Sequence, residues 1–209
     1  MTAAAALPPR TLKVTGLASR RGERLLFENL DFELGAGEML LLQGPNGSGK
    51  TTLLLVLAGL LRPEIGSCEL MGGDGDRDEL HFLGHDAALS DRLTVAENLQ
   101  FWSALCGGDR PLLHPTLRAI GLGPIADLEA GLLSTGQRRR LALGRLLCAE
   151  RPLWLLDEPT NALDSTGEQL VATLIDAHLQ RGGLVVAATH HDIPLRAPAR
   201  IRSLRLGAA

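Results

Sequence analysis

Gly44-Pro45-Asn46-Gly47-Ser48-Gly49-Lys50-Thr51, which follows the apolar run Met39-Leu40-Leu41-Leu42, decides how this chain folds. Glycines at this spacing, closed by Lys-Thr, make a loop that wraps an anion. Backbone N–H groups and a helix N-terminus surround phosphate oxygens, the lysine adds a point charge, and the hydroxyl reaches magnesium. Lys50 and Thr51 fill those last two roles, and Thr52 is a further nucleotide contact. Gly44, Gly47 and Gly49 allow the tight bend and the close approach that a Cβ would block. The β-like run before the loop and the apolar helix-like run Leu53–Ala58 after it supply the strand–loop–helix context.

Working outward, 209 residues, 45% of them hydrophobic and 22% charged, suffice for one domain with a sizeable core. A net charge of -3 argues against a protein that coats nucleic acid, which normally needs a strongly basic surface. No apolar run approaches the ~18–20 residues that cross a bilayer, and Ala3–Leu7 is too short for a signal-peptide core, which places the chain in the cytoplasm. Cys68, Cys106 and Cys148 are odd in number and widely spaced, as suits reduced core thiols.

Before the loop, β-like runs at Leu12–Leu17 and Leu25–Leu34 meet across Arg21-Gly22-Glu23 and suggest an antiparallel sheet beside the nucleotide. After it come a short strand at Ser67–Met71 and a polar loop, Gly72–Asp76, that lacks the glutamate a calcium loop needs. A strand at His81–Gly84 follows. Residues 86–150 read as a helical insert, with a capping box at Thr94 and Glu97 and breaks at Pro111, Pro115, Gly121, Gly123 and Pro124. Strand (153–157), helix (165–180), strand (184–189) and a last β-like run (201–206) complete an α/β alternation that implies a mainly parallel sheet.

The second chemical motif is Asp157-Glu158 at the end of the apolar run Leu153–Leu156. A carboxylate there can reach magnesium, and its neighbour can polarise a water for in-line attack on a γ-phosphate. Two further strings identify a family: Leu133-Ser134-Thr135-Gly136-Gln137, followed by Arg138-Arg139-Arg140, and Thr189-His190 at a strand end. With Asn161-Ala162-Leu163-Asp164, the ordered set resembles the ATP-binding cassette (ABC) ATPases over essentially the whole chain. The resemblance implies a P-loop NTPase fold with a RecA-like core (11–85 and 151–209) that includes an antiparallel β subdomain. It also implies a helical subdomain (86–150) carrying the signature. ATP and Mg2+ are the implied cofactors, with Glu158 as base, His190 as γ-phosphate sensor, and Ser134, Gly136 and Gln137 gripping ATP on a second cassette. A head-to-tail homodimer would then hold two ATP molecules. Independently of the name, Ser134 stands where a helix begins, so its hydroxyl and the first N–H groups can hold an anion without a lysine. The three arginines read as salt-bridge or partner contacts and not as a nucleic-acid patch.

Three departures from the family pattern matter. Thr135 replaces the usual signature glycine and adds β-branched bulk. Arg21, before Gly22, stands where an aromatic ring usually stacks on adenine; its guanidinium plane can do the same. His85, nine residues before Thr94, stands where a glutamine usually meets magnesium and the attacking water; an imidazole can accept from water or bind metal, and unlike an amide it titrates. The Leu83-Gly84-His85 segment, the short chain and the Arg-bearing hairpin resemble the CcmA type of ABC ATPase. That likeness implies the ATP-hydrolysing subunit of a cytochrome c maturation complex (haem export or release of a haem-loaded chaperone). It would be peripheral on the cytoplasmic face of a bacterial inner membrane and paired with integral membrane subunits. The alternatives are the ATP-binding subunit of a drug or lipid exporter, or a mechanical ABC ATPase acting on ribosomes or DNA.

Overall fold

A computed structural model of the chain describes residues 5–73, 79–107, 113–190, 193–195 and 200–207. Two sheets form. The first is antiparallel, in the order β2-β1-β4, from β1 (Thr11–Arg21), β2 (Arg24–Leu34) and β4 (Ile65–Met71). The second has five strands in the order β5-β6-β7-β3-β8, from β3 (Glu38–Gln43), β5 (Leu80–Leu83), β6 (Leu153–Asp157), β7 (Leu184–Ala188) and β8 (Arg200–Arg205). Every adjacent pair in it is parallel, so the expected α/β class with a parallel core and an antiparallel sheet is what forms.

The central strands are apolar throughout because both faces are covered. Side chains alternate across a strand, so Leu40, Leu42, Leu153, Leu155, Leu184 and Val186 point to one face. There they meet Leu53, Leu54, Val56 and Leu57 of helix α1 (Lys50–Leu57) and the inner face of the antiparallel sheet. Met39, Trp154, Leu156, Val185 and Ala187 point to the other, against Val171, Ala172, Ile175 and Leu179 of α5 (Ser165–Gln180). Truncating one such fully buried residue, Leu42→Ala for example, costs about 2–5 kcal/mol.

Between β5 and β6 the chain builds α2 (Val95–Leu105), α3 (Leu113–Ala119) and α4 (Thr135–Gly144), with single 3-10 turns around them. The capping box at the start of α2 is formed: Glu97 N donates to Thr94 Oγ1 at 3.1 Å and Thr94 N to Glu97 Oε2 at 2.8 Å. Pro115 does not break a helix but sits in the first turn of α3, where its missing N–H has no partner to lose. Helix α4 belongs to two cores at once. Leu141 packs among Val95, Leu99 and Ile120 of the helical layer, whereas Ala142 and Leu143 pack with Trp154 and Leu156 of the parallel sheet.

Several strand boundaries differ from expectation, and two of the differences bear on local geometry. Strand β4 begins at Ile65, where Gly66 at φ +85 comes so close to Gly16 that a Cβ would lie 2.5 Å from the Gly16 carbonyl oxygen. Strand β7 stops at Ala188, so His190 lies in the bend beyond it and strand alternation does not set its direction. His191, Pro111 and residues 74–76 of the polar loop lie outside the described residues. All three cysteines are free, and burial pushes the Cys148 thiol up to about 12.

Candidate active site

Strands β6, β7 and β3 are neighbours and parallel, so the segments leaving their C-terminal ends emerge side by side. This is where ligands bind in open parallel sheets. The phosphate loop leaves β3, Asp157 and Glu158 end β6, and His190 follows β7. They surround a cavity of about 500 Å³, whose wall includes Lys50, Thr51, Asp157, Glu158 and His190.

The loop is shaped by backbone conformations that side chains resist. Gly44 (φ +143) leaves so little room that a Cβ would lie 2.4 Å from the Leu206 carbonyl oxygen. Gly49 (φ +101) is the N-cap of α1, and a Cβ there would press on Leu26 and Phe27. No side chain caps this helix start. Lys50, buried to 7% exposure, donates from Nζ to the carbonyls of Gly44 (2.7 Å) and Pro45 (3.2 Å). Asn46, Gly47, Gly49 and Thr52 also face the cavity, whereas the Ser48 hydroxyl is buried with no hydrogen-bond partner among the described residues.

Behind the lysine the polar groups interlock. Thr51 Oγ1 donates to Asp157 Oδ2 at 2.9 Å. His190 Nε2 lies 3.2 Å from Lys50 Nζ, 2.8 Å from Asn46 Oδ1 and 3.4 Å from Glu158 Oε1. With a proton on Nε2 the ring donates to Asn46; without one it accepts from Lys50. Glu158 itself has φ +48, an uncommon conformation for a side-chain-bearing residue, and its N–H donates to Ala188 O at 2.8 Å.

Arg21 and His85, placed here on family likeness alone, both reach the cavity wall. Thr51 and Asp157 offer paired oxygens that fit magnesium, which typically takes one or two carboxylates and leaves its other positions to water and phosphate. The His85 imidazole nitrogen suits that hard ion poorly. Leu26 and Asn161 also line the cavity, and no sequence signal singles out Leu26 from its neighbour Leu25.

The signature residues stand apart from this cavity. Ser134 caps α4 in a closed box: Gln137 N donates to Ser134 Oγ at 3.3 Å and Ser134 N donates to Gln137 Oε1 at 2.9 Å. The Gln137 side chain is therefore turned back onto the Ser134 N–H. Gly136 lies against the bend after β6, where a Cβ would sit 3.1 Å from Ala162 O. Of the following arginines, Arg138 pairs with Asp91 at 2.6 Å and Arg140 with Asp164 at 2.7 Å. The Asp164 carboxyl is held below its usual range by the Gly167 N–H that it caps and by Arg140. Arg139 does neither; it is buried under Glu158 among backbone carbonyls, a placement the reading of the arginines as salt-bridge or partner contacts missed.

Residues 27–161 match the ABC transporter family. The chain is 52% identical over 189 residues to the cytochrome c biogenesis ATP-binding export protein CcmA of Rhizobium johnstonii, covering 86% of this chain and 88% of that protein. It is 48% identical over 197 residues to the protein of the same name from Rhodopseudomonas palustris strain HaA2, covering 93% and 96%. Among solved structures, a dimeric ATP-binding cassette in a post-hydrolysis state, bound to ADP and Pi, superposes with a TM-score of 0.79 at 26% identity over 93% of this chain and 96% of that one.

Proposed function

The chain belongs to the ABC transporter family and, within it, to the CcmA type of ATP-binding subunit; on that premise we propose that it hydrolyses ATP to drive a membrane complex of cytochrome c maturation, in haem export or release of a haem chaperone. The observation that carries this reading is the convergence of Lys50, the Thr51–Asp157 pair, Glu158 and His190 on one cavity at three adjacent strand ends. The loop amides and Lys50 hold the β- and γ-phosphates, Lys50 exchanging the Gly44 and Pro45 carbonyls for phosphate oxygens. Thr51 and Asp157 would hold Mg2+, which would neutralise phosphate charge. Glu158 accepts the proton of the water whose oxygen attacks the γ-phosphorus. The bond to the β-phosphate oxygen breaks, leaving ADP and phosphate. His190, tied to Asn46 and Glu158, orients the γ-phosphate, and His85 faces the attacking water. Arg21, on the cavity wall, offers a guanidinium plane on which the adenine can stack.

The remaining residues act on a second copy. Ser134, Gly136 and Gln137 face the phosphate loop of another cassette in a homodimer, each site being completed in trans. No helix among the described residues is long and apolar enough to cross a membrane. Its attachment to the cytoplasmic face of the inner membrane runs through integral membrane subunits, a reading that the likeness to the CcmA export proteins supports. Deleting the gene should abolish haem-stained c-type cytochromes, with wild type restoring them and Glu158→Gln failing to. Normal haem staining in the deletion strain overturns the assignment.

A further inference from the structure

Arg139 is 6% exposed and, among the described residues, bonds to backbone carbonyls alone. Its Nη2 donates to Asp157 O and Glu158 O, both at 2.7 Å, and its Nε to Pro159 O at 3.3 Å. Its Nη1 donates to Gly84 O at 2.9 Å and His85 O at 3.4 Å. Successive carbonyls along an extended strand point in opposite directions. Three in a row converge on one guanidinium here because the chain turns at Glu158, whose φ of +48 breaks the alternation. That conformation is strained and persists only where its surroundings enforce it.

We propose that Arg139 is a positioning residue for hydrolysis: its guanidinium pins the backbone of Glu158 in the strained turn and joins it, through α4, to the Ser134 end and, through Gly84 and His85, to the water side of the cavity. Its fork supplies several fixed donors at once, which lysine, a point charge on a flexible stem, cannot reproduce. The charge is retained in so buried a place because the Asp157 and Glu158 carboxylates stand close by and oppose the effect of burial. Helix α4 packs into both the helical layer and the parallel sheet, so a load on its Ser134 end is passed along it and not absorbed. A partner's ATP seated on Ser134 therefore acts on Glu158 of the same chain. The inference deepens the proposed function and rests on its assignment of Glu158 as base.

The test uses the full chain, with ATP affinity measured by titration separately from steady-state hydrolysis. Arg139→Gln should lower kcat at least tenfold while ATP Kd stays within threefold of wild type, and Arg139→Lys should recover part of the loss. Ser134→Ala, at least tenfold slow on its own, should add less than threefold on top of Arg139→Gln, since the path it acts through is already broken. If glutamine prevents folding, Arg139→Lys carries the same split, with kcat down at least threefold at unchanged Kd and its own cycle with Ser134→Ala. An unchanged kcat, a Kd that weakens in step with kcat, or full additivity with Ser134→Ala overturns the proposal. Glu158→Gln, run alongside, separates the two levels: full activity in that variant refutes the base assignment, whatever Arg139 does.

Discussion

Two helices in this molecule begin at a loop that the sequence marks for phosphate, and they begin differently. Helix α1 starts from Gly49 at φ +101 with no side-chain cap among the described residues, and a buried lysine stands beside its first amides. Helix α4 starts from Ser134 at φ −61 inside a closed capping box, and its arginines are already engaged by Asp91, Asp164 and the carbonyls around Glu158. Four N–H groups at a helix start need partners from outside the helix. The first helix leaves that need to a ligand; the second has met part of it from its own side chains. On that contrast we propose that affinity for ATP belongs to α1 and that α4 only adds to a nucleotide held elsewhere.

The sharpest way to break this contrast is Lys50→Ala. At an effective dielectric near 20, a charge pair about 4 Å apart is worth roughly 4 kcal/mol before desolvation. Its loss should weaken ATP binding by up to about 10³-fold in a fluorescent-nucleotide titration; a loss under tenfold would remove α1 from its dominant place. Ser134→Ala comes next. One hydrogen bond to a charged phosphate contributes about 1.5–3 kcal/mol, so kcat should fall about ten- to a hundredfold while the ATP Kd stays within twofold. A weakened Kd with normal kcat would place Ser134 in its own chain's binding site.

The sequence disclosed α1 and its loop more fully than it did α4, for a physical reason. The phosphate loop, Lys50 and Thr51 are contiguous, and Asp157 and Glu158 close an apolar strand, so local chemistry and local pattern coincide. Arg138, Arg139 and Arg140 look alike in a row, but on a helix each points about 100° from the last. One therefore reaches Asp91, one the carbonyls of residues 84–85 and 157–159, and one Asp164. Nothing within three residues distinguishes the buried one, because its partners arrive from strands β5 and β6. The expected strand over 184–189 erred in the opposite sense. It extended β7 by one residue, and the ladder in fact stops at Ala188, leaving the bend to aim the imidazole.

The smallest expected effect sharpens the comparison most finely, because the molecule carries its own control. The boxes at Thr94–Glu97 and Ser134–Gln137 are built alike, with donor–acceptor distances of 2.8 and 3.1 Å in the first and 2.9 and 3.3 Å in the second. Glu97→Ala and Gln137→Ala each remove the returning side chain, and each should cost roughly 1 kcal/mol, or about 2–4 °C in melting temperature for a chain of this size. Stability alone would make the two variants indistinguishable. If the start of α4 also receives a nucleotide from a second copy, Gln137→Ala should lower kcat severalfold, whereas Glu97→Ala leaves it at the wild-type value. Equal kcat in the two variants would reduce the Ser134 box to the structural cap that it already is at Thr94, and with it the distinction between the two helix starts.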